Sequence, residues 1–103
     1  MAQLTSLFNQ FPESIKNLIQ LTITSISPDQ LILFGSRARD THRKNSDFDI
    51  AVKGTIDPKE WACLKTRLDD EAISLHLVDL VLFESLGDDY KNNVATEGKL
   101  ICG

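Results

Sequence analysis

Asp47 and Asp49 stand two positions apart at the head of the run Asp47-Phe48-Asp49-Ile50-Ala51-Val52. On a strand, residues two apart project from one face, roughly 6.5 Å from each other along the chain. The spacing therefore predicts two carboxylates aimed the same way, with Phe48, Ile50 and Val52 on the opposite face. Charges left alone against a sheet interior are costly, and a hard divalent cation removes that cost. Magnesium suits the pattern because it takes oxygen ligands, keeps several waters, and uses one or two protein carboxylates together with substrate phosphates. A third acid, Asp79, interrupts the apolar run Leu77-Val78-Asp79-Leu80-Val81-Leu82-Phe83. It either joins the first two at a metal or forms an ion pair with an arginine such as Arg37 or Arg39. Upstream, Gly35-Ser36 ends another apolar run and leads into Arg37, Arg39, Arg43 and Lys44, four cations close together in an acidic chain. Glycine allows a phosphate to approach the backbone, and neighbouring N–H and hydroxyl groups can donate to it. The cations are then placed either to neutralise a polyphosphate or to form a solvated loop. The Gly-Lys-Ser/Thr ending of a P-loop is missing.

The elements that must carry these residues alternate in type. Ile15, Leu18, Ile19, Ile23 and Ile26 follow helical spacing, which predicts a first helix over about 12–26 with Pro12 in its first turn. Leu31 to Phe34 predicts a short strand covered on both faces, and 47–52 a second one. Asp57-Pro58 with Glu60 is a helix start, and Trp61, Leu64 and Leu68 extend its stripe to about residue 72. Residues 73–83 predict a third strand. Tyr90 and Val94 share a face of a last helix closed by Gly98, after which Leu100 and Ile101 form a tail that must pack on something. The expected architecture is α/β (α+β), a small mixed sheet of three to four strands flanked by helices, in a single domain over 1–103. The long connection through the second helix permits parallel pairing of strands two and three, and the short link from Phe34 to Asp47 suits antiparallel pairing of strands one and two.

Composition narrows the field without naming a function. A net charge of −4 disfavours sequence-independent nucleic-acid binding. No apolar run approaches the roughly 20 residues that span a bilayer, so no membrane association and a cytoplasmic location are expected. Cys63 and Cys102 lie far apart without a second pair, which argues against a disulfide framework or a structural zinc site. His42 reads as a solvated loop residue and His76 as a structural one.

Gly35-Ser36, ten intervening residues, and then Asp47-Phe48-Asp49 resembles the signature of the polymerase-β-like nucleotidyltransferases. The short chain, the opening Gly35-Ser36-Arg37-Ala38-Arg39 and the later Asp79 resemble most the minimal nucleotidyltransferase (MNT) family, often the antitoxin of a pair whose partner is a helical HEPN protein. The likeness extends from about Leu31 to Phe83; Asp40 departs from the glycine common at its position. The resemblance implies a polymerase-β-like fold and magnesium-dependent transfer of a nucleoside monophosphate, AMP from ATP, to a hydroxyl. Asp47 and Asp49 would hold two magnesium ions, and Asp79 would bind metal on the acceptor side and help deprotonate the hydroxyl. Gly35 and Ser36 would hold the triphosphate, with Arg39 as a further phosphate contact. The implied acceptor is a tyrosine of a HEPN toxin. The alternative is a binding subunit of the same fold that neutralises its partner by occlusion. Transfer to a small molecule such as an aminoglycoside would normally need a further domain.

Overall fold

The computed structural model describes residues 3–35, 48–70 and 78–103. A short 3-10 turn at Ser6–Gln10 precedes α1 (Glu13–Ile26), β1 (Gln30–Phe34), β2 (Phe48–Lys53), α2 (Pro58–Asp70) and β3 (Val78–Leu82). A second 3-10 turn, Phe83–Ser85, leads into α3 (Asp88–Glu97) and β4 (Lys99–Cys102). The strands form a mixed sheet in the order β3-β2-β1-β4, with β1 antiparallel to both β2 and β4, and β2 parallel to β3. Both pairing senses expected for the first three strands are present.

Each helix follows from its sequence. The stripe of α1 buries Ile15, Leu18, Ile19 and Ile26, and its one buried polar residue, Thr22, donates from its hydroxyl to the Leu18 carbonyl at 2.9 Å. The helix stops at Ser27, which takes a left-handed φ of 44° and donates its N–H to the Ile23 carbonyl. At the start of α2 the Asp57 carboxylate accepts the Lys59 N–H at 2.8 Å, the capping bond its position predicts. Helix α3 ends at Gly98, though not by a left-handed turn, since its φ is −65°. There a side chain is excluded by space: a Cβ would fall 2.6 Å from Ile32 Cγ2 and also against the Val94 carbonyl.

Leu100 and Ile101 are not a loose tail. They belong to β4, which pairs with β1 on one side while Leu4 bridges Cys102 on the other. The Thr5 N–H donates to the Ile101 carbonyl at 2.8 Å, so the N-terminal segment takes up hydrogen bonds along β4. Sequence periodicity missed this strand because four residues are too short to show alternation.

The sheet is packed on both faces. On one, Leu31, Leu33, Phe48, Ile50, Val52, Leu80 and Ile101 meet α1 and α2 in the main core. On the other, Phe34 and Ala51 pack against Val94 of α3, with Ile32, Val81 and Leu86 around them. Helix α3 covers only part of this second face. Its uncovered end carries the acids.

Candidate functional site

Three features of the sheet place Gly35, Asp49 and Asp79 together. Antiparallel register sets Phe34 against Asp49, which brings the end of β1, where Gly35 follows, beside the start of β2. Parallel register sets Asp49 against Asp79. Neighbouring strands lie about 4.8 Å apart, so the two carboxylates leave the sheet side by side from one face. Alternation assigns that face: Ala51 and Val81 follow Asp49 and Asp79 by two residues and pack toward α3.

Gly35 has a φ of +77°, a conformation that side chains disfavour, and a Cβ placed on it would lie 2.5 Å from Asp49 Oδ2. The missing side chain thus makes room for the Asp49 carboxylate, which rests against the bare glycine backbone. The sequence suggested that this glycine admits phosphate. In the fold its first service is to an acid.

An open cleft of about 520 Å³ runs over this end of the sheet, floored by Phe34, Gly35, Asp49, Asp79 and Val81. Its opposite wall is Leu86 and the α3 residues Tyr90, Asn93 and Glu97. The volume lies within the range of small-molecule sites. The wall residues were missed at the sequence level, although the i, i+3, i+7 spacing of Tyr90, Asn93 and Glu97 puts all three along one side of a helix.

Burial separates the two acids. Asp49 is half-buried, whereas Asp79 is exposed, because β3 lies at the edge of the described sheet and α3 does not reach over it. Asp79 is therefore not the buried liability that its apolar surroundings in sequence suggested: its flanking residues turn inward while it faces the cleft. Ser36, Arg39 and Asp47, like Arg37, Asp40, His42, Arg43, Lys44 and His76, lie outside the described residues. Among the described residues no group of three His, Cys, Asp or Glu side chains converges as a metal cage. The donor set of Asp49 and Asp79 nonetheless fits magnesium, which asks of a protein only one or two carboxylates and fills its other positions with water and phosphate.

Away from the cleft, Cys63 is exposed and Cys102 buried, both as free thiols. Burial pushes the Cys102 thiol up from its ordinary pKa, against a smaller opposing effect of a backbone hydrogen bond at Leu31. Among the described residues no helix is long and apolar enough to cross a membrane.

Residues 13–103 match the family model described as polymerase beta, nucleotidyltransferase. No curated protein matches the sequence. Among solved structures, a toxin–antitoxin with AMP-PNP is 31% identical, with a TM-score of 0.57 over 85% of this chain and 69% of that one. A tyrosine-to-alanine mutant of the toxin–antitoxin MntA-HpeT is 32% identical, covering 88% of this chain and 72% of that one with a TM-score of 0.57. A second MntA-HpeT mutant, with two aspartates two positions apart changed to glutamate, is 29% identical over 91% of this chain and 70% of that one, with a TM-score of 0.56. By its sheet, its cleft and these matches, the chain belongs to the polymerase beta nucleotidyltransferase family, within the minimal nucleotidyltransferase branch.

Proposed function

We propose that this protein is the antitoxin of a toxin–antitoxin pair and that it works as an enzyme, transferring AMP from ATP to a tyrosine hydroxyl of a helical HEPN-type toxin. The observation that carries the reading is the registered pair Asp49 and Asp79 in one cleft, with the Asp49 carboxylate held against Gly35. The similar structures support it: they are toxin–antitoxin complexes, and one holds AMP-PNP, an ATP analogue.

In this reading Asp47, Asp49 and Asp79 hold magnesium, while Gly35, Ser36 and Arg39 hold the triphosphate. Magnesium, when bound, supplies polarisation of the phosphate and charge neutralisation of the departing pyrophosphate. The chain's own part is positional and electrostatic. Gly35 fixes where the Asp49 carboxylate points. Asp79, open to the cleft, accepts the proton of the incoming hydroxyl, a task its exposure permits. The acceptor oxygen forms a bond to the α-phosphorus as the bond to the bridging oxygen breaks, and pyrophosphate leaves.

The test is incubation of the protein with labelled ATP, magnesium and its toxin partner, beside Asp47→Asn and Asp49→Asn variants. Label is expected on the partner, reduced more than about 100-fold in either variant, because even residues behind a metal ligand cost 10–100-fold when changed. An unlabelled partner that is still neutralised by wild type and variants alike would replace this mechanism with occlusion.

A further inference from the structure

Asp79 sits on the outermost strand of the described sheet, and such a strand has a ladder on one side only. β3 pairs with β2 along its length, and among the described residues no strand pairs with its outer side. An edge of this kind opens more readily than a central strand. That suits a reacting carboxylate badly, since a misplacement of about 1 Å costs on the order of 100-fold in rate. Leu80, the residue after Asp79, is where the strand is held.

Leu80 is fixed twice. Its side chain, 2% exposed, enters the main core, as does that of Leu64 on α2. Its carbonyl accepts a hydrogen bond from Nζ of Lys65, the residue after Leu64, at 3.1 Å. The bond is part-buried, and the Lys65 ammonium also stands 5.7 Å from the centre of the Trp61 ring, one helical turn back. A hydrogen bond from a charged donor is roughly twice as strong as a neutral one. Asp79 and Val81, which floor the cleft, are the residues on either side of Leu80. Holding Leu80 by side chain and carbonyl together leaves the backbone that carries Asp79 little room to turn. A lysine on an edge carbonyl elsewhere would only stabilise the fold; one residue from Asp79 it has a second consequence.

We infer that Lys65 is a positioning residue for Asp79: through the Leu80 carbonyl it steadies the edge strand, so that the carboxylate meets the incoming hydroxyl at a fixed point. Lys65 does not line the cleft and acts on the reaction only through β3. This rests on the nucleotidyl-transfer reading, in which Asp79 takes the proton of that hydroxyl.

Three variants test it. Lys65→Met keeps the apolar stem and removes the donor, Lys65→Arg keeps a charged donor, and Asp57→Ala weakens α2 at its cap, away from β3. The readouts are melting temperature, kcat and the KM for ATP in labelled transfer to the toxin partner, and hydrogen exchange of the β3 amides in protein free of nucleotide and metal. Lys65→Met is expected to lower kcat by about tenfold or more, with the KM for ATP within about twofold of wild type. Exchange in β3 should quicken by about tenfold while that in β1 changes little. Lys65→Arg should restore most of both. Asp57→Ala should melt earlier yet keep the wild-type kcat well below its melting temperature. A kcat unchanged in Lys65→Met, or lowered as far in Asp57→Ala, would overturn the assignment, because Lys65 would then only stabilise the fold. So would a raised KM for ATP with kcat intact, which would put Lys65 at the nucleotide. If wild type transfers nothing, the nucleotidyl-transfer reading fails by itself. Exchange then decides alone: faster β3 exchange in Lys65→Met supports the hold on Asp79's strand, and unchanged exchange overturns it.

Discussion

Replacing Gly35 with alanine separates two costs that are usually tangled. The first is conformational: at φ +77° an L side chain crowds its own backbone, which costs about 1–2 kcal/mol. The second is a collision, because the new Cβ would stand 2.5 Å from Asp49 Oδ2 where ordinary contact begins at 3.4 Å. The carboxylate must therefore retreat by about 1 Å, and displacements of that size at a reacting centre cost on the order of 100-fold in rate. Gly54 supplies the control. Its φ of +141° is also unfavourable to side chains, and a Cβ there would meet the Asp29 backbone nitrogen at 2.9 Å, but it does not line the cleft. Both variants should lose stability, about 5–15 °C in melting temperature for a domain of this size. Only Gly35→Ala should lose transfer, about 100-fold, measured as labelled AMP on the partner well below the melting temperature. Equal activity in the two variants would refute the argument that this glycine exists to seat Asp49.

Four further outcomes follow from the geometry. Asp79→Asn should abolish transfer while shifting stability by no more than about 0.5 kcal/mol in denaturant melts, because an exposed edge-strand acid beside another carboxylate holds little of the fold together. Ile101→Ala should cost about 2–5 kcal/mol, since Ile101 is fully buried in the main core, whereas Leu100→Ala, at a position 38% exposed, should cost under about 1 kcal/mol. Asp57→Ala should cost about 1 kcal/mol by leaving the Lys59 N–H without its cap, read as a lower denaturation midpoint with unchanged slope. For Cys102, burial raises the thiol pKa above the unfolded value of 9.0. The neutral thiol is favoured in the fold, so this contribution is complete below about pH 9 and is lost as pH climbs through the folded pKa. Urea melts from pH 8 to 10.5 should show that decline, and Cys102→Ser should remove it; at pH 8 iodoacetamide should modify Cys63 alone until the protein is unfolded.

How much of this was legible in the sequence depended on the length of the signal. Helix α1 spans 14 residues and shows a full apolar stripe, and the start of α2 carries a proline and a capping acid, so both were readable. The expectation that Asp79 would join Asp49 on one face of the sheet agrees with their register, while Asp47, the other half of the D-x-D pair, lies outside the described residues. Strand β4 was not readable because its four residues owe their conformation to β1 and to the segment around Leu4, partners distant in sequence. The exposure of Asp79 was misjudged for a related reason. An apolar neighbourhood in sequence describes both faces of a strand, and only the path of α3 decides which of them is covered.

The position of the acids at the mouths of their strands has a topological cause. Antiparallel pairing joins the end of β1 to the beginning of β2, so a glycine leaving one strand meets an acid entering the next. Parallel pairing, which the crossover through α2 makes possible, then lays the beginning of β3 beside the beginning of β2. Had β3 run the other way, Asp79, the second residue of a five-residue strand, would stand opposite Ala51, about 7 Å further along the sheet at about 3.3 Å per residue. A carboxylate pair on neighbouring strands would then be lost although every local sequence feature were kept. The mixed sheet thus gathers a glycine and two acids from three neighbouring strands at one end, in a cleft open to a ligand.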